Sequence, residues 1–379
     1  MRSLTTYLSS QESQLLVSYS GNTLRAFLDF LLDYRAGSFL GIGRGLAAEC
    51  MIRDGELKGV LSQYKANPGD FSDEALVRKG ADAGISHRVP VRIEVRETPG
   101  VEGASQIAIR GLFGDYRVKA LESFRQLAPF QSGALTGKTS GEKSLEFNVS
   151  GVGKALPIRY IQSNFFALLE DIGYTPGPGI NAAGQKFIFM ADGDGTLYGK
   201  PTIDELPSLA QSPAYRPLLE YLDLGGLFVL ISGNSLARVE GRIAPHIPAN
   251  ARTRVLVSAN GGADLAVVTL EGRLKALDHY RKHALEVLQA EKNADNGICA
   301  VYAGDDTDAS GNDFEAFEAV GWGNAICVGA GGKGEVGGIC VGGHEQSTAK
   351  CLELINEHAR AGKPLTAEVV RYCVTTLKG

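Results

Sequence analysis

Residues 187–197 read F-I-F-M-A-D-G-D-G-T-L, an apolar run that ends abruptly at two aspartates two positions apart. Such a run predicts a buried parallel β-strand, which would deliver Asp192 and Asp194 to the carboxyl end of a sheet. Alternation puts both carboxylates on one side of the extending chain, while Gly193 and Gly195 permit a tight turn. Two carboxylates this close repel each other unless a cation or a shared proton relieves them. The stretch therefore predicts a divalent metal site with acid/base or nucleophilic chemistry.

The string D-G-D-G-T-L at residues 192–197 resembles the first motif of the haloacid dehalogenase (HAD) superfamily. The resemblance implies that Asp192 attacks phosphorus to form an aspartyl-phosphate. It also implies that Asp194 protonates the leaving oxygen and then activates water. An Asp-Gly turn after an ordinary strand is the alternative interpretation. An EF-hand loop also begins Asp-x-Asp, but its sixth position needs glycine, and Leu197 stands there.

The second half of the chain alternates strand-like and helix-like stretches at short spacing, which predicts an α/β fold with a parallel sheet and crossover helices. The HAD resemblance implies that this half is a Rossmann-like core. The Pro/Gly-rich segment 173–181 is interpreted as a domain boundary, giving domains 1–180 and 181–379. Strands are predicted at 186–191, 227–231, 254–258, 300–303 and 325–328. Helices are predicted near 213–222, 235–243, 274–290 and 312–319.

The second predicted strand of this half ends at Ser232-Gly233-Asn234, directly before a helix that opens at Ser235. A hydroxyl and backbone N–H groups at a helix start can bind a phosphate oxygen, although a plain helix cap is the alternative. The segment resembles the second HAD motif, which implies that Ser232 holds the phosphoryl group with Gly233 and Asn234 beside it. Asn260 follows the third strand, and either a substrate contact or a simple β-turn fits its pattern.

A phosphoryl site also needs a cation to offset the charge of the transition state. The HAD resemblance implies a lysine at the start of the helix before the fourth strand. Lys275, Lys282 and Lys292 lie in that region, and the spacing typical of related members selects Lys282 as the catalytic lysine. An exposed lysine on a helix face is the alternative.

The predicted fourth strand ends in clustered acids, Gly304-Asp305-Asp306-Thr307-Asp308. Together with Asp192 and Asp194, Asp305 would supply hard oxygen ligands suited to Mg²⁺. The cluster resembles that of trehalose-phosphate and related Cof-like sugar-phosphate phosphatases. A further acid of the expected spacing is missing, so the additional candidates are Asp306, Asp308 and Asp313.

The bulk properties describe an ordinary globular chain of 379 residues, 44% hydrophobic and 21% charged. The formal charge of −5 argues against nucleic acid as the main partner. No stretch has the length of a membrane span or of a signal-peptide core, so a cytoplasmic protein without a membrane partner is predicted. Six scattered cysteines without a Cys-x-x-Cys pair predict small buried side chains rather than zinc ligands or disulfides.

The first half resembles no family, and its mixed patterns predict a separate α+β domain. Strands are expected at 87–96, 106–112 and 145–149, and helices at 23–34 and 157–172. HAD enzymes usually carry an inserted cap, but too few residues separate the motifs here to hold one. Domain 1–180, or a partner subunit in a homo-oligomer, is therefore expected to close the site. The strand-borne Arg88, Arg92 and Arg96 suit an anionic substrate or a solvated strand face.

The four motifs together predict a Mg²⁺-dependent phosphatase that hydrolyses a small phosphomonoester through an aspartyl-phosphate. By resemblance, the substrate is a sugar or polyol phosphate. The alternatives are a phosphomutase or phosphotransferase with the same chemistry, and a non-catalytic binding protein with a vestigial HAD domain.

Overall fold

The computed structural model describes residues 14–16, 92–97, 104–110, parts of 121–149, 151–175, 177, 179–181, 186–201, 205–280, 297–307, 311–329 and 340–378. The chain forms two compact units that divide between Gly151 and Val152. This division lies earlier than the boundary predicted at 180, because the helix that follows Lys154 belongs to the second unit. The closing role predicted for domain 1–180 stays a prediction.

The first unit contains an antiparallel five-stranded sheet of order β1-β2-β3-β5-β4. The strands predicted at 106–112 and 145–149 are present, and the one predicted at 87–96 is described from Arg92 onward. The helix predicted at 23–34 lies outside the described residues. The described elements are β1 (Gln14–Leu16), β2 (Arg92–Glu97), β3 (Ala104–Arg110), α1 (Ala128–Gln131), β4 (Leu135–Ser140) and β5 (Ser144–Val149).

The second unit is built on a seven-stranded sheet of order β10-β9-β8-β7-β6-β11-β12. The five strands from β8 to β12 along this order pair in parallel, while β9 and β10 extend the β8 edge as antiparallel strands. The strands are β6 (Phe187–Asp192), β7 (Leu227–Ile231), β8 (Val255–Ala259), β9 (Asp264–Val268), β10 (Leu274–Ala276), β11 (Cys299–Gly304) and β12 (Ala325–Cys327).

Helices flank this sheet, and short 3₁₀ turns connect several of the elements. The helices predicted near 157–172, 213–222, 235–243 and 312–319 are all present within a few residues of their expected bounds. The described helices are α2 (Ala155–Asp171), α3 (Tyr215–Asp223), α4 (Leu236–Ile243), α5 (Phe314–Val320), α6 (His344–Arg360) and α7 (Ala367–Lys378). The α/β class predicted for the second half is thereby confirmed.

The central strand β6 is buried at every position, as expected for a strand with parallel neighbours on both sides and helices over the sheet. Its last residue, Asp192, pairs in register with Ile231 of β7. Ala191, one position earlier, pairs with Ala303 of β11. The parallel arrangement therefore brings the residues that follow β6, β7 and β11 to one edge of the sheet, where open α/β sheets carry their ligands.

The helix predicted at 274–290 is wrong at its start, because Leu274–Ala276 forms the edge strand β10. Leu274 pairs with Val268, and the connecting loop is a tight turn in which Gly272 has φ +76°. In this turn the backbone N–H of Thr269 donates to the carbonyl oxygen of Arg273, and the backbone N–H of Gly272 donates to the carbonyl oxygen of Thr269. A connection of five residues that contains glycine, between two strand-like stretches, is a hairpin signal, and here it outweighs the helical spacing of the residues that follow. Residues 281–296 lie outside the described part of the chain.

Cys299, Cys327, Cys340, Cys351 and Cys373 are free thiols, and Cys50 lies outside the described residues. Among the helices that the structure describes, none combines the length and the apolar character that crossing a membrane requires.

Candidate functional site

Three aspartates converge at the carboxyl edge of the parallel sheet. Asp192 ends β6, Asp305 follows β11, and Asp313 immediately precedes α5. Each offers a carboxylate oxygen, and these oxygens lie within 4.8 Å of one another. Asp192 and Asp313 are buried and Asp305 is half-buried. These three residues are called the acid cluster below. The sequence placed Asp192 and Asp305 in one site, and the structure brings them together.

Asp313 is the member of the acid cluster with the most donors around it. Its Oδ1 accepts hydrogen bonds from Lys154 Nζ and Tyr302 Oη, both at 2.6 Å. Its Oδ2 accepts from the backbone N–H groups of Asp305 (3.0 Å) and Asp306 (3.2 Å). A carboxylate has about four lone-pair sites, so these four bonds nearly exhaust its capacity. Asp313 therefore fixes the loop that carries Asp305. Asp192 and Asp305 accept fewer of these hydrogen bonds, so more of their lone pairs remain to ligate a cation.

A buried lysine bridges two members of the acid cluster. Lys154 Nζ lies 2.6 Å from Asp192 Oδ1 and 2.6 Å from Asp313 Oδ1. The residue stands at the start of α2, directly before Ala155. Sequence reasoning missed Lys154, because it precedes the sheet and was assigned to the other domain. The available signal was a lysine after Gly151-Val152-Gly153 at the start of a predicted helix.

Glycines bring the Lys154 segment close to the sheet edge. A Cβ on Gly262, which has φ +95°, would lie 1.9 Å from the carbonyl oxygen of Gly153, so only glycine fits there. The backbone N–H of Lys154 donates to Glu315 Oε1 at 2.9 Å, which ties the start of α2 to α5. The lysine predicted from the HAD resemblance, Lys282, lies outside the described residues. Within the described part of the chain, Lys154 is the lysine in contact with Asp192.

The electrostatics of the acid cluster reflect three carboxylates facing one buried ammonium. Burial by itself would lower the pKa of Lys154, but Asp192 and Asp313 raise it above its usual value, so the ammonium stays protonated. Burial raises the pKa of Asp192, Lys154 opposes this, and the neighbouring Asp313 and Asp305 raise it further. Burial and Asp313 also raise the pKa of Asp305, while Lys200 lowers it. The acid cluster contains three carboxylates but one buried ammonium group, so an added cation would reduce the repulsion between the carboxylates.

Asp194 lies apart from the acid cluster, although it was predicted to ligate the metal. Its Oδ2 accepts a hydrogen bond from Asn234 Nδ2 at 2.8 Å. Asn234 also donates through its backbone N–H to Ser232 Oγ at 3.1 Å. Because Ile231 pairs with Asp192, Ser232 lies one residue beyond the end of the neighbouring strand. The structure thus joins Asp194, Ser232 and Asn234 beside Asp192, and it places the side chain of Asp194 with polar groups rather than with the other carboxylates.

A buried arginine that the sequence did not single out holds Asp194 from the other side. Arg242 on α4 brings Nη1 to 2.6 Å from Asp194 Oδ1, as an ion pair without an aligned hydrogen bond. Its Nε donates to the carbonyl oxygen of Pro207 at 2.6 Å, and its guanidinium lies 3.9 Å from the ring centroid of Tyr198. These contacts fix the direction of the Asp194 carboxylate.

The remaining predicted residues have mixed placements. Asn260 is buried, with φ +52°, and its amide donates to Asp264 Oδ2 at 2.6 Å. Its backbone N–H donates to the carbonyl oxygen of Asn234 at 2.8 Å, so Asn260 is tied to the loop that carries Ser232 and Asn234. A substrate contact of Asn260 stays a prediction. Gly233 lies in that loop. Asp306 stands beside Asp305, and Asp308 lies outside the described residues.

The acid cluster fits a small divalent cation by its chemistry. Carboxylate oxygens are the ligands that Mg²⁺ prefers, and Mg²⁺ uses only one or two of them while it keeps several waters. The spacing of the three carboxylates and their shortage of positive charge fit such an ion. Asp192 and Asp305 are the residues that could ligate such an ion directly, and Asp313 orients the loop that carries Asp305. No protein-family model and no curated protein matches this chain, so the assignment depends on this geometry alone.

Replacing Asp313 with asparagine is expected to weaken Mg²⁺ binding by about 10- to 100-fold, the usual cost of losing a group that orients metal ligands. Asparagine has one acceptor oxygen, whereas Asp313 accepts from Lys154 through one oxygen and from the backbone N–H of Asp305 through the other. One of these two hydrogen bonds would be lost, and the loop that carries Asp305 would be held less firmly. Calorimetric titration of the protein with Mg²⁺ measures the change. The exposed Asp223→Asn is the matched control and should bind as the wild type does. Unchanged affinity in Asp313→Asn would remove Asp313 from the site.

Proposed function

We propose that this chain is a divalent-metal-dependent phosphatase that hydrolyses a small phosphomonoester through an aspartyl-phosphate. The observation that carries the proposal is the acid cluster with Lys154 at the carboxyl ends of β6 and β11. Mg²⁺ is the proposed metal, and a HAD-type core is the proposed family of the second unit. By the resemblance of its motifs, the ester is a sugar or polyol phosphate.

In the first half of the proposed reaction, Asp192 attacks the phosphorus. Lys154 engages Oδ1, which leaves Oδ2 as the attacking oxygen. The bond from phosphorus to the ester oxygen breaks as the bond to Oδ2 forms. The step requires Asp194 to carry a proton in the complex with the ester. Asp194, directed by Arg242 and Asn234, then gives this proton to the departing oxygen, so the leaving group departs as an alcohol. The metal ion would offset the negative charge of the phosphoryl oxygens when it is bound.

In the second half, the aspartyl-phosphate is hydrolysed. Asp194 is now ionised and removes a proton from a water molecule, which attacks the phosphorus. The bond to Asp192 Oδ2 breaks, inorganic phosphate leaves, and Asp194 is protonated again for the next cycle. Ser232 and Lys154 are the groups that we expect to hold the phosphoryl oxygens in both steps.

The cost of burying these groups favours a catalytic role over a vestigial one. A carboxylate or an ammonium group loses hydration worth several kcal/mol when it is removed from water. The attraction within a buried ion pair recovers this loss only when the geometry of the pair is good. Two buried carboxylates share the one buried ammonium of Lys154, and the third pairs with the exposed Lys200, so the buried charges gain less than matched buried pairs would. Ionisable groups with shifted pKa values are concentrated at functional sites, because acid, base and nucleophilic catalysis need such shifts.

The proposal is tested by measuring inorganic phosphate released from a panel of phosphate esters with Mg²⁺ and with a chelator. Metal-dependent release of phosphate from at least one ester is the expected result. Conversion of the ester to an isomer without free phosphate would instead point to a phosphomutase. No turnover of any kind across sugar, polyol and acid phosphates would contradict the proposal.

A further inference from the structure

A second lysine lies at the acid cluster, on its solvent-facing side. Lys200 Nζ is 2.9 Å from Asp305 Oδ2. The side chain of Lys200 is 66% exposed, whereas that of Asp305 is 10% exposed. Lys154, on the inner side of the cluster, is 1% exposed. The cluster therefore lies between an inner cation that solvent cannot reach and an outer cation at the surface.

The position of Lys200 depends on the turn that follows Asp192. Gly195 in this turn has φ +82°, and a Cβ there would lie 2.5 Å from Lys200 Cε and 2.6 Å from Asp305 Oδ2. Only glycine therefore allows the lysine to cross the turn and reach the carboxylate. The carbonyl oxygen of Gly195 also lies 3.0 Å from His344 Nδ1, at the start of α6. The turn is thus fixed on both sides.

The exposures of the site residues indicate how an ester would enter. Asp313 is fully buried and Lys154 nearly so, while the side chain of Asp194 is 28% exposed. Among these residues, Lys200 and Asp194 have the most exposed side chains. Under the proposed function, the phosphoryl group lies at Asp192, and the leaving group extends outward from the buried residues toward solvent. Lys200, which is paired with Asp305 of the acid cluster and largely exposed, is then the cation placed to meet it.

We propose that Lys200 determines specificity by binding a negatively charged group on the leaving group of the ester. The inference rests on the proposed phosphatase function and names its substrate class as an acidic phosphate ester, such as a phosphorylated sugar or polyol acid. A divalent cation on Asp305 would offset the attraction between Asp305 and Lys200. The ammonium on its flexible stem would then pair with an anionic group of the substrate. A neutral leaving group would offer it no such partner.

Two matched pairs of esters test the proposal, since each pair differs only by a carboxylate in place of a hydroxymethyl group. They are 3-phosphoglycerate with glycerol 3-phosphate, and galacturonate 1-phosphate with galactose 1-phosphate. Dissociation constants are measured by calorimetry with Mg²⁺ in an Asp192→Asn background, so that binding is read without turnover. The acid of at least one pair is expected to bind about tenfold more tightly, as one charge-assisted contact allows.

The variant Lys200→Gln should reduce this preference to within about twofold, and Lys200→Glu should reverse it. Lys350→Gln is the matched control, because Lys350 is also exposed and also lies 2.9 Å from a carboxylate, that of Glu353. It should keep the preference of the parent protein. Equal weakening of both members of a pair by Lys200→Gln, or equal affinity of the parent for both, would overturn the proposal.

Parallel phosphate-release assays with the same esters separate this inference from the proposed function. A charge preference in binding that depends on Lys200, without phosphate release by the protein that retains Asp192, would contradict the phosphatase and uphold the anion site. Phosphate release without any preference for the acidic esters would uphold the phosphatase and contradict the anion site.

Discussion

Replacing Asp192 with asparagine is expected to lower the rate of phosphate release by a factor on the order of 10⁴ or more, as loss of a covalent nucleophile does in other enzymes. The amide oxygen is a far weaker nucleophile than the carboxylate, so no aspartyl-phosphate would form. The substitution is nearly isosteric and removes one of three crowded carboxylates, which should leave the fold intact. Release of phosphate under saturating Mg²⁺ measures the loss, and circular dichroism checks the fold.

The exposed Asp278→Asn serves as a control for the same chemical change outside the site and should retain the wild-type rate. Partial loss, by a factor of about ten or less, in Asp192→Asn would show that this residue assists without forming a covalent bond. In that case the aspartyl-phosphate has to be abandoned, even if the protein is a phosphatase.

Replacing Lys154 with methionine should destabilise the protein by about 3–5 kcal/mol in the absence of divalent metal, because removal of one partner leaves buried charges without compensation. Asp192 and Asp313 would both lose their shared ammonium at 2.6 Å. Methionine has a similar length, so lost packing contributes little. Chemical denaturation with a chelator present measures the free energy of unfolding. Phosphate release should also fall steeply in this variant.

Lys350→Met is the matched control for this prediction, because Lys350 forms an exposed pair with Glu353. An exposed pair of this kind contributes at most about 1 kcal/mol. Saturating Mg²⁺ is expected to restore part of the stability of Lys154→Met, since a ligand that binds only the folded state stabilises it. It should not restore the activity. If Lys154→Met and Lys350→Met unfold alike, the buried charge cluster does not have the energetic role assigned to it.

The parallel sheet of the second unit was predictable because its central strands β6, β7 and β11 are short apolar runs that end at or directly before Gly, Ser or Asp. The strand predicted at 227–231 matches β7 in both bounds, and the strand predicted at 186–191 differs from β6 by one residue at each end. A parallel sheet brings the carboxyl ends of its strands together. The proximity of Asp192 to Asp305, and of Asp194 to Ser232 through Asn234, could therefore also be expected from the sequence.

Contacts between residues distant in the chain were not predictable in this way. Lys154 reaches Asp313 across 159 positions, and no local pattern reports such a pairing. The Pro/Gly-rich segment 173–181 looked like a boundary between domains, yet α2 before it packs within the second unit. Its Tyr160 stacks edge-on against Tyr280 at a centroid distance of 4.9 Å. The Pro/Gly composition predicted a boundary at this segment, whereas the packing of α2 places the division before that helix.

Arg242 illustrates a second limit of sequence reasoning. Its place on α4 makes it look like one of several charged residues of an amphipathic helix, alongside Arg238 and Glu240. Only the tertiary structure shows that it is buried against Asp194 and Tyr198. A charged residue on the inner face of a helix needs a partner, and the identity of that partner depends on the fold.

A crystal structure of the protein grown with Mg²⁺ and beryllium trifluoride, a mimic of the phosphoryl group, tests most directly whether these residues form one phosphoryl-transfer site. We expect beryllium bonded to Asp192 Oδ2, a metal ion in contact with Asp192 and Asp305, and Lys154 Nζ within hydrogen-bond distance of a fluorine. Beryllium fluoride bound to another residue, or a metal ion held by residues outside the acid cluster, would contradict the assignment of these residues to one phosphoryl-transfer site.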